Sequence, residues 1–195
     1  MSWFLDFIMS FPLPDFSSTT AIIAQILGFF GMGLGVASFQ AKRRVSIILL
    51  QSAGSVLWSI HFALLGATTG LALNVVAILR GLLYACKDRF SFLRSPLVPI
   101  LTSGAFIAVG TITAESLWGI LPIVAMCLAS VALFVSNERV IRILSLFSSP
   151  LWLIYDAVSL SLAGVLTETF NLCSIIIALF RFRQKKAAPQ PQEQE

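Results

Sequence analysis

The sequence predicts an all-α membrane protein with seven transmembrane helices, arranged 3+1+3 as a parallel internal repeat. Composition is the first observation behind this prediction. The 195-residue chain is 57% hydrophobic and only 11% charged, with a mean hydropathy of +0.92, whereas about 25% charged residues is usual in a soluble domain. The second observation is that a stretch around Trp58 returns around Trp152, at an offset of 94 residues.

The repeated stretch has the pattern Ser-x-Leu-Trp-x-Ile, followed by a glycine at a fixed distance. It covers residues 55–60 with Gly70, and again residues 149–154 with Gly164. Further identical pairs at this offset are Met32 with Met126, Leu50 with Leu144, and Arg89 with Arg183. A gapless match over about sixty residues indicates a duplication, so the sequence predicts an internal repeat.

Seven apolar stretches are each long enough, or nearly so, to cross about 30 Å of hydrocarbon as a helix. They cover residues 20–40, 45–65, 68–87, 96–113, 117–136, 139–160 and 163–181. Because a single helix joins the two three-helix copies, both copies keep the same orientation in the membrane. The predicted segments are an external interfacial segment at 1–19, a first repeat at 20–95, a linker helix at 96–116, a second repeat at 117–186 and a disordered cytoplasmic tail at 187–195.

Basic residues fall on one side of the membrane in this topology. Of the 13 Lys and Arg residues, all except Arg80 lie in the connections at 42–44, 87–94 and 139–142 or after residue 180. The opposite side carries the acidic residues Asp6, Asp15 and Glu115. Since basic loops stay cytoplasmic, we expect the N-terminus outside and the C-terminus in the cytoplasm. This placement accounts for the net charge of +4 better than nucleic-acid binding does.

Motifs of catalysis and of metal binding are missing from the sequence. There is no HExxH, GxSxG, Walker or glycine-rich nucleotide motif. Cys86, Cys127 and Cys173 lie in apolar stretches without a CxxC pair, which predicts buried packing residues rather than disulfides or metal ligands. We therefore expect no enzymatic activity, no cofactor and no metal.

Polar and aromatic residues recur every three positions on the second and sixth helices, so each set shares one helix face. The sets are Ser55, Trp58 and His61, and Ser149, Trp152 and Tyr155. We expect the two faces to meet across a shared central space, with simple helix packing as the alternative. For His61, the one histidine, a hydrogen-bonded structural role is expected, with proton sensing as the alternative.

The third helix of each copy carries a polar residue sixteen positions after its tryptophan, Asn74 in the first copy and Glu168 in the second. An ionisable residue inside a span costs about 3 kcal/mol on insertion scales, so it normally faces water or a partner. We expect Glu168 to line a cavity, with Asn171 one turn away. An ordinary place at the outer interface is the alternative for Glu168.

Arg80, inside the third helix, has two expected placements. Its long side chain can extend to the cytoplasmic surface, or it can form an internal ion pair with Glu168 or Asp156. Asp156 itself, near the outer end of the sixth helix, is expected at the membrane interface.

Two parallel three-helix copies joined by one helix resemble the SWEET and PQ-loop transporters. Trp58 and Asn74 match the substrate-site pair of that superfamily, and Trp152 matches it in the second copy, where Glu168 replaces the asparagine. The stretch 61–66 (HFALLG), with Arg80 downstream, resembles more specifically the YgjV family of bacterial inner-membrane proteins, over most of residues 20–185.

The resemblance implies a SWEET-like, multi-pass protein of the bacterial inner membrane that passes sugars or other small solutes by alternating access. Its substrate site would comprise Trp58, Asn74, Trp152, Glu168 and Asn171, lined further by Ser55, His61, Ser149 and Tyr155. SWEET-like proteins also place prolines in the first two helices of each copy, whereas here only Pro122 and Pro150 occur, both in the second copy. The expected partners are a small-molecule solute and the lipid bilayer, with no nucleic acid; a homo-oligomer stays an open alternative. The rival interpretation is a non-transporting scaffold or sensor that retains this fold.

Overall fold

The computed structural model describes residues 18–40, 44–114, 116–135 and 138–187. These residues form seven α-helices, numbered here in chain order: α1 Thr19–Gln40, α2 Arg44–Leu64, α3 Thr68–Ala85, α4 Leu97–Thr113, α5 Ile120–Val135, α6 Glu138–Val158 and α7 Leu162–Ala187. Short 3-10 helices at Ser91–Arg94 and Leu117–Gly119 precede α4 and α5. The prediction of seven helices is confirmed for this part of the chain.

Differences from the prediction lie at the helix ends. The third helix ends at Ala85 rather than 87, and α7 continues to Ala187, which the sequence had placed in the tail. The interfacial segment at 1–17, the loop residue Glu115 and the tail from residue 188 are outside the described residues. So are the loop residues 42 and 43 and the side chains of the other basic residues at 44, 139 and 142 and after 180.

Length and hydropathy agree with a membrane protein. Within the described residues, three segments are long and apolar enough to cross a membrane: Thr19–Ser38, Thr68–Ala85 and Leu117–Val135. Shorter apolar segments lie at Ile48–Leu64, Leu97–Thr113, Ile143–Val158 and Leu162–Ile177. Large hydrophobic side chains are exposed on the outside of the bundle; the exposed fraction is 70% for Leu101 and 84% for Ile112. Such a surface is stable against lipid tails and unstable against water.

All helices except α4 form a closed ring. Each helix packs against the next in the order α1, α2, α3, α5, α6, α7, and α7 packs against α1. Helix α4 packs against α3 and α5. An apolar core at this contact is formed by Leu73, Ala77, Phe106, Ile123 and Met126. This core holds α3 and α5 together. The two halves of the chain meet through these two helices on the side of the ring that α4 covers.

The turn after α2 and the turn after α6 have the same backbone pattern. Each contains one residue in the left-handed region, Gly66 with φ 72° and Leu160 with φ 57°. In each, the following N–H donates to the carbonyl five residues back, at 2.9 Å after Gly66 and at 2.8 Å after Leu160. A left-handed leucine costs about 1–2 kcal/mol, so these hydrogen bonds hold Leu160 in a conformation that it would otherwise avoid. The two turns are 94 residues apart.

The helix bundle has two ends, which we call the turn end and the basic end. The turn end contains the turns at 65–67 and 159–161, where Gln25 contacts Leu160 and His61 contacts Ser161. The basic end contains the α3–α4 connection at 86–96, where Lys87 donates to the carbonyl of Phe134 at the end of α5, at 2.8 Å.

Candidate functional site

A cavity of about 150 Å³ lies inside the helix ring. Five of the six ring helices contribute to its wall. The lining residues are Trp58, Phe62, Asn74, Met126, Trp152, Asp156, Gly164, Thr167 and Glu168. Four of the five residues expected in a substrate site, namely Trp58, Asn74, Trp152 and Glu168, thus surround one space.

The two tryptophans do not face each other directly, because Phe62 lies between them. The Phe62 ring stacks on Trp152, with centroids 6.0 Å apart and an interplanar angle of 24°. On its other side it meets Trp58, at 5.9 Å and 31°. We call Trp58, Phe62 and Trp152 the aromatic row. Phe62 was not expected in the site, although it follows Trp58 by four residues and so shares its helix face.

Asp156 is buried in the cavity wall, and the expectation that it lies at the membrane interface was wrong. Its side chain is only 3% exposed, and its Oδ1 atom has no hydrogen-bond partner. Gly164, on the neighbouring helix, leaves the space that this carboxyl fills, since a Cβ there would overlap Asp156. Asp156 follows Trp152 by four residues, and this spacing could have revealed that it shares the face of the tryptophan.

Glu168 lies on α7, one turn after Gly164, and lines the cavity from the side opposite α3. Its carboxyl lies beside the hydroxyl of Ser149 and near the carboxyl of Asp156. Asn171 donates to Glu168 Oε2 at 3.4 Å. Asn74, which is 5% exposed, donates to the carbonyl of Gly70 in its own helix at 3.0 Å. These contacts hold the polar groups in place around the cavity.

A second cavity of about 240 Å³ shares Trp58, Thr167 and Glu168 with the first and extends toward the basic end. Asn171 and Ser55 line this second cavity rather than the central one. Trp58 and Glu168, which line both cavities, therefore lie between these two residues and the central cavity. Ser149 is buried beside Glu168.

Arg80 adopts neither of its two expected placements. Its side chain is only 8% exposed, so it does not extend to the membrane surface. Its Nη1 atom donates to Ser130 Oγ at 3.2 Å and to the Met126 carbonyl at 3.4 Å. The guanidinium also lies over the Phe106 ring, 5.1 Å from the centroid. Among the described residues there is no ion pair between Arg80 and Glu168 or Asp156, because Arg80 is oriented toward α5.

The turn end is closed by hydrogen bonds that join the two halves of the chain. His61 Nδ1 lies 2.6 Å from the Ala24 carbonyl, and His61 Nε2 lies 2.7 Å from Ser161 Oγ. Because a carbonyl only accepts, Nδ1 carries a proton, and a neutral ring then accepts the proton of Ser161. The Tyr155 hydroxyl accepts a hydrogen bond from the Gly70 N–H at 2.8 Å. His61 and Tyr155 therefore hold the turn end together and do not line the central cavity.

Gln25 belongs to the same closure and was missed by the sequence analysis. It donates to the Leu160 carbonyl at 2.9 Å and accepts from the Ala163 N–H at 3.0 Å. Its side chain is buried. The available signal was an amide inside the otherwise apolar stretch 21–37, since buried polar groups in a span require partners.

Metal ligands do not cluster in the described part of the chain, where no group of three or more His, Cys, Asp or Glu residues could hold an ion. The cysteines differ from their expected burial. Cys86 and Cys173 are exposed, and Cys127 is half-buried. All three are free thiols.

Comparison with known proteins identifies the family. The family model for Imp-YgjV, described as a bacterial inner membrane protein, matches residues 22–186. The chain belongs to the Imp-YgjV family. No significant match to a curated protein or to a solved structure was found. Membership places the chain in the bacterial inner membrane, in agreement with its apolar helices. The matched range of this Imp-YgjV protein includes every residue that lines the central cavity.

Proposed function

We propose that this protein is a small-solute facilitator of the bacterial inner membrane that works by alternating access between two three-helix repeats. In this proposal all seven helices span the membrane, with the N-terminus outside and the C-terminus in the cytoplasm. The repeats comprise α1–α3 and α5–α7, and the central cavity is the substrate site. Sugars are the substrate class that the resemblance to SWEET and PQ-loop transporters implies.

The matching geometry of the two halves supports the repeat. The contacts of α1 with α2 and of α2 with α3 correspond to those of α5 with α6 and of α6 with α7. The contact of α1 with α7 corresponds to that of α5 with α3. The left-handed residues Gly66 and Leu160 occupy equivalent turns at the same offset. Two domains related in this way have a common interface at which a solute site normally lies.

The observation that carries the proposal is the pairing of cavity residues at the 94-residue offset. Trp58 corresponds to Trp152, Phe62 to Asp156, and Asn74 to Glu168, and all six line one cavity between the halves. A pocket walled by aromatic rings with a few convergent polar groups is typical of small-molecule sites. Each half contributes three of the six side chains, so relative motion of the halves would open the site.

The conformation described here fits one state of such a cycle. Hydrogen bonds of Gln25, His61 and Tyr155 join the halves at the turn end. The second cavity continues from the shared wall toward the basic end. Because the basic end is the proposed cytoplasmic side, this conformation would be closed outward. The opposite state requires that the turn-end hydrogen bonds break.

The non-transporting scaffold or sensor is less well supported. A centre filled with side chains and an Arg80–Glu168 ion pair would have favoured it. Instead both tryptophans line an open cavity, and Arg80 donates to Ser130 and Met126. No enzymatic step is part of the proposal.

Accessibility of one cavity residue from both sides of the membrane tests the proposal. Thr167 lines both cavities, and Thr167→Cys in a background without Cys86, Cys127 and Cys173 changes little volume. Alternating access predicts that a charged, impermeant thiol reagent labels it in both right-side-out and inside-out vesicles. Ala77→Cys, in the apolar core, is the control that should react from neither side. Labelling of Thr167→Cys from one side alone would reject alternating access.

A further inference from the structure

We propose that the central cavity binds a small organic cation, an alkylammonium whose charged group lies at Asp156 and Glu168 and whose apolar part lies against the aromatic row. The inference rests on the proposed function, since it names the substrate class of that same site. It differs from the sugar that the resemblance implies, because the cavity wall has the chemistry of a cation site.

The acidic groups are the first reason. Asp156 and Glu168 are the charged residues among those that line the central cavity, and both are acids. Asp156 is 3% exposed, and its Oδ1 has no hydrogen-bond partner. A buried carboxyl oxygen without a donor is unfavourable, and buried charges are normally paired. An ammonium group would supply both the hydrogen-bond donors and the opposite charge.

Among the described residues, no basic side chain supplies this charge to the central cavity. None of the residues lining the central cavity is basic. Arg80 lines the second cavity but not the central one, and its Nη1 atom donates to Ser130 and Met126. His61 contacts Ser161 Oγ rather than Asp156, and its two nitrogens are both occupied by hydrogen bonds. A bound cationic ligand would supply the compensating positive charge.

The aromatic row is the second, independent reason. Trp58, Phe62 and Trp152 form a continuous line of rings in the cavity wall. The faces of aromatic rings attract cations, and tryptophan does so most strongly. Phe62 also packs on Tyr155 at 5.9 Å and on His61 at 5.1 Å. The row is thus held in place by neighbours before any ligand enters, which lowers the entropic cost of binding.

The volume of the cavity and the side chains around it restrict the kind of cation that fits. A cavity of about 150 Å³ holds a molecule of roughly benzene size. The described residues provide no group of three or more His, Cys, Asp or Glu side chains for an inorganic ion. A neutral sugar would offer hydroxyl donors to the two carboxyl groups but no positive charge. An alkylammonium with a few carbon atoms satisfies the acids and the aromatic row together.

Binding to the purified full-length protein in detergent tests this assignment. The probes are choline with its neutral isostere 3,3-dimethyl-1-butanol, butylammonium with 1-butanol, and glucose. Isothermal titration and thermal stabilisation should detect at least one of the two cations, with at least tenfold higher affinity than its neutral counterpart. Glucose should bind more weakly than that cation.

Isosteric variants locate the site. Asp156→Asn and Glu168→Gln should each weaken cation binding at least tenfold, whereas Asp156→Glu should retain part of it. Asp88→Asn, an exposed acid at the basic end, is the control and should bind the cation as the unmodified protein does. Size-exclusion profiles establish that each variant is folded.

Two results would overturn the cation assignment: equal binding of a cation and its neutral isostere, or absence of binding of both cations at 10 mM. Two-sided labelling of Thr167→Cys tests transport separately. Cation binding together with labelling from one side only would support the cation site and contradict the facilitator proposal. Labelling from both sides together with selective binding of glucose would support the facilitator proposal and contradict the cation assignment.

Discussion

The Tyr155 hydroxyl and the Gly70 backbone N–H form a hydrogen bond of 2.8 Å that joins α6 to the start of α3. The residues at the 94-residue offset, His61 for Tyr155 and Gly164 for Gly70, make a related contact through Ser161. His61 reaches Ser161 Oγ at 2.7 Å, and Ser161 Oγ accepts from the Gly164 N–H at 3.1 Å. In both cases a side chain from the second helix of one half reaches the start of the third helix of the other half. These crossed contacts close the turn end.

Tyr155→Phe should weaken this closure. It leaves the buried N–H of Gly70 without its acceptor, which costs about 1–3 kcal/mol, and the thermal unfolding midpoint in detergent should fall. Labelling of Thr167→Cys from the turn end should also become faster. Tyr84→Phe is the matched control, because Tyr84 donates to the Ser130 carbonyl far from the turn end, at 3.2 Å. It should lower stability without accelerating labelling; equal acceleration in both variants would argue against a closure at Tyr155.

Gly70→Ala and Gly164→Ala should both be destabilising. A Cβ at Gly70 would lie 2.7 Å from the Phe62 ring, and one at Gly164 would overlap Asp156. Overpacking of this kind costs typically about 1–3 kcal/mol, because Phe62 or Asp156 would have to shift. Gly104→Ala is the control, since no atom lies within 4 Å of its Cβ. It should be neutral or stabilising by up to about 1 kcal/mol; a similar loss in all three variants would contradict the close contacts.

Arg80 and Glu168 should contribute independently to stability. Arg80→Met retains much of the packing on Phe106 but removes the hydrogen bonds to Ser130 and Met126. In a double-mutant cycle with Glu168→Gln, the coupling free energy should be below about 0.5 kcal/mol, the value usual for residues that share no partner. The cycle of Arg80→Met with Ser130→Ala is the control and should give a larger coupling. A strong Arg80–Glu168 coupling would restore the ion pair that the structure lacks.

The turn end should face the outside of the cell. In a background without native cysteines, Ala67→Cys should react with an impermeant thiol reagent on intact cells, because the basic loops remain cytoplasmic. Asp88→Cys, at the basic end, should react only after the cells are permeabilised. The reverse pattern would invert the proposed orientation. Replacement of Cys86 is essential, since it is exposed near that end.

Much of this architecture follows from the hydropathy and the repeat spacing of the sequence. Helix positions were predictable because an apolar segment in lipid must satisfy its backbone hydrogen bonds internally, which leaves the helix as the only option for a single span. The 94-residue offset also selected Trp58, Asn74, Trp152 and Glu168 as one set. All four line the central cavity.

Only the tertiary structure decided what lies between and beside those residues. The rotation of each helix about its axis placed Phe62 between the tryptophans and turned Asp156 into the cavity, whereas the position of Asp156 near the end of its helix had indicated an interfacial acid. Arg80 could not be assigned from sequence, because the hydroxyl and carbonyl of α5 that accept its hydrogen bonds come from a segment 46 to 50 residues away. The hydropathy of each segment therefore determined where the helices lie. The chemistry of the cavity was determined by the directions of the side chains, which are fixed only when the helices pack together.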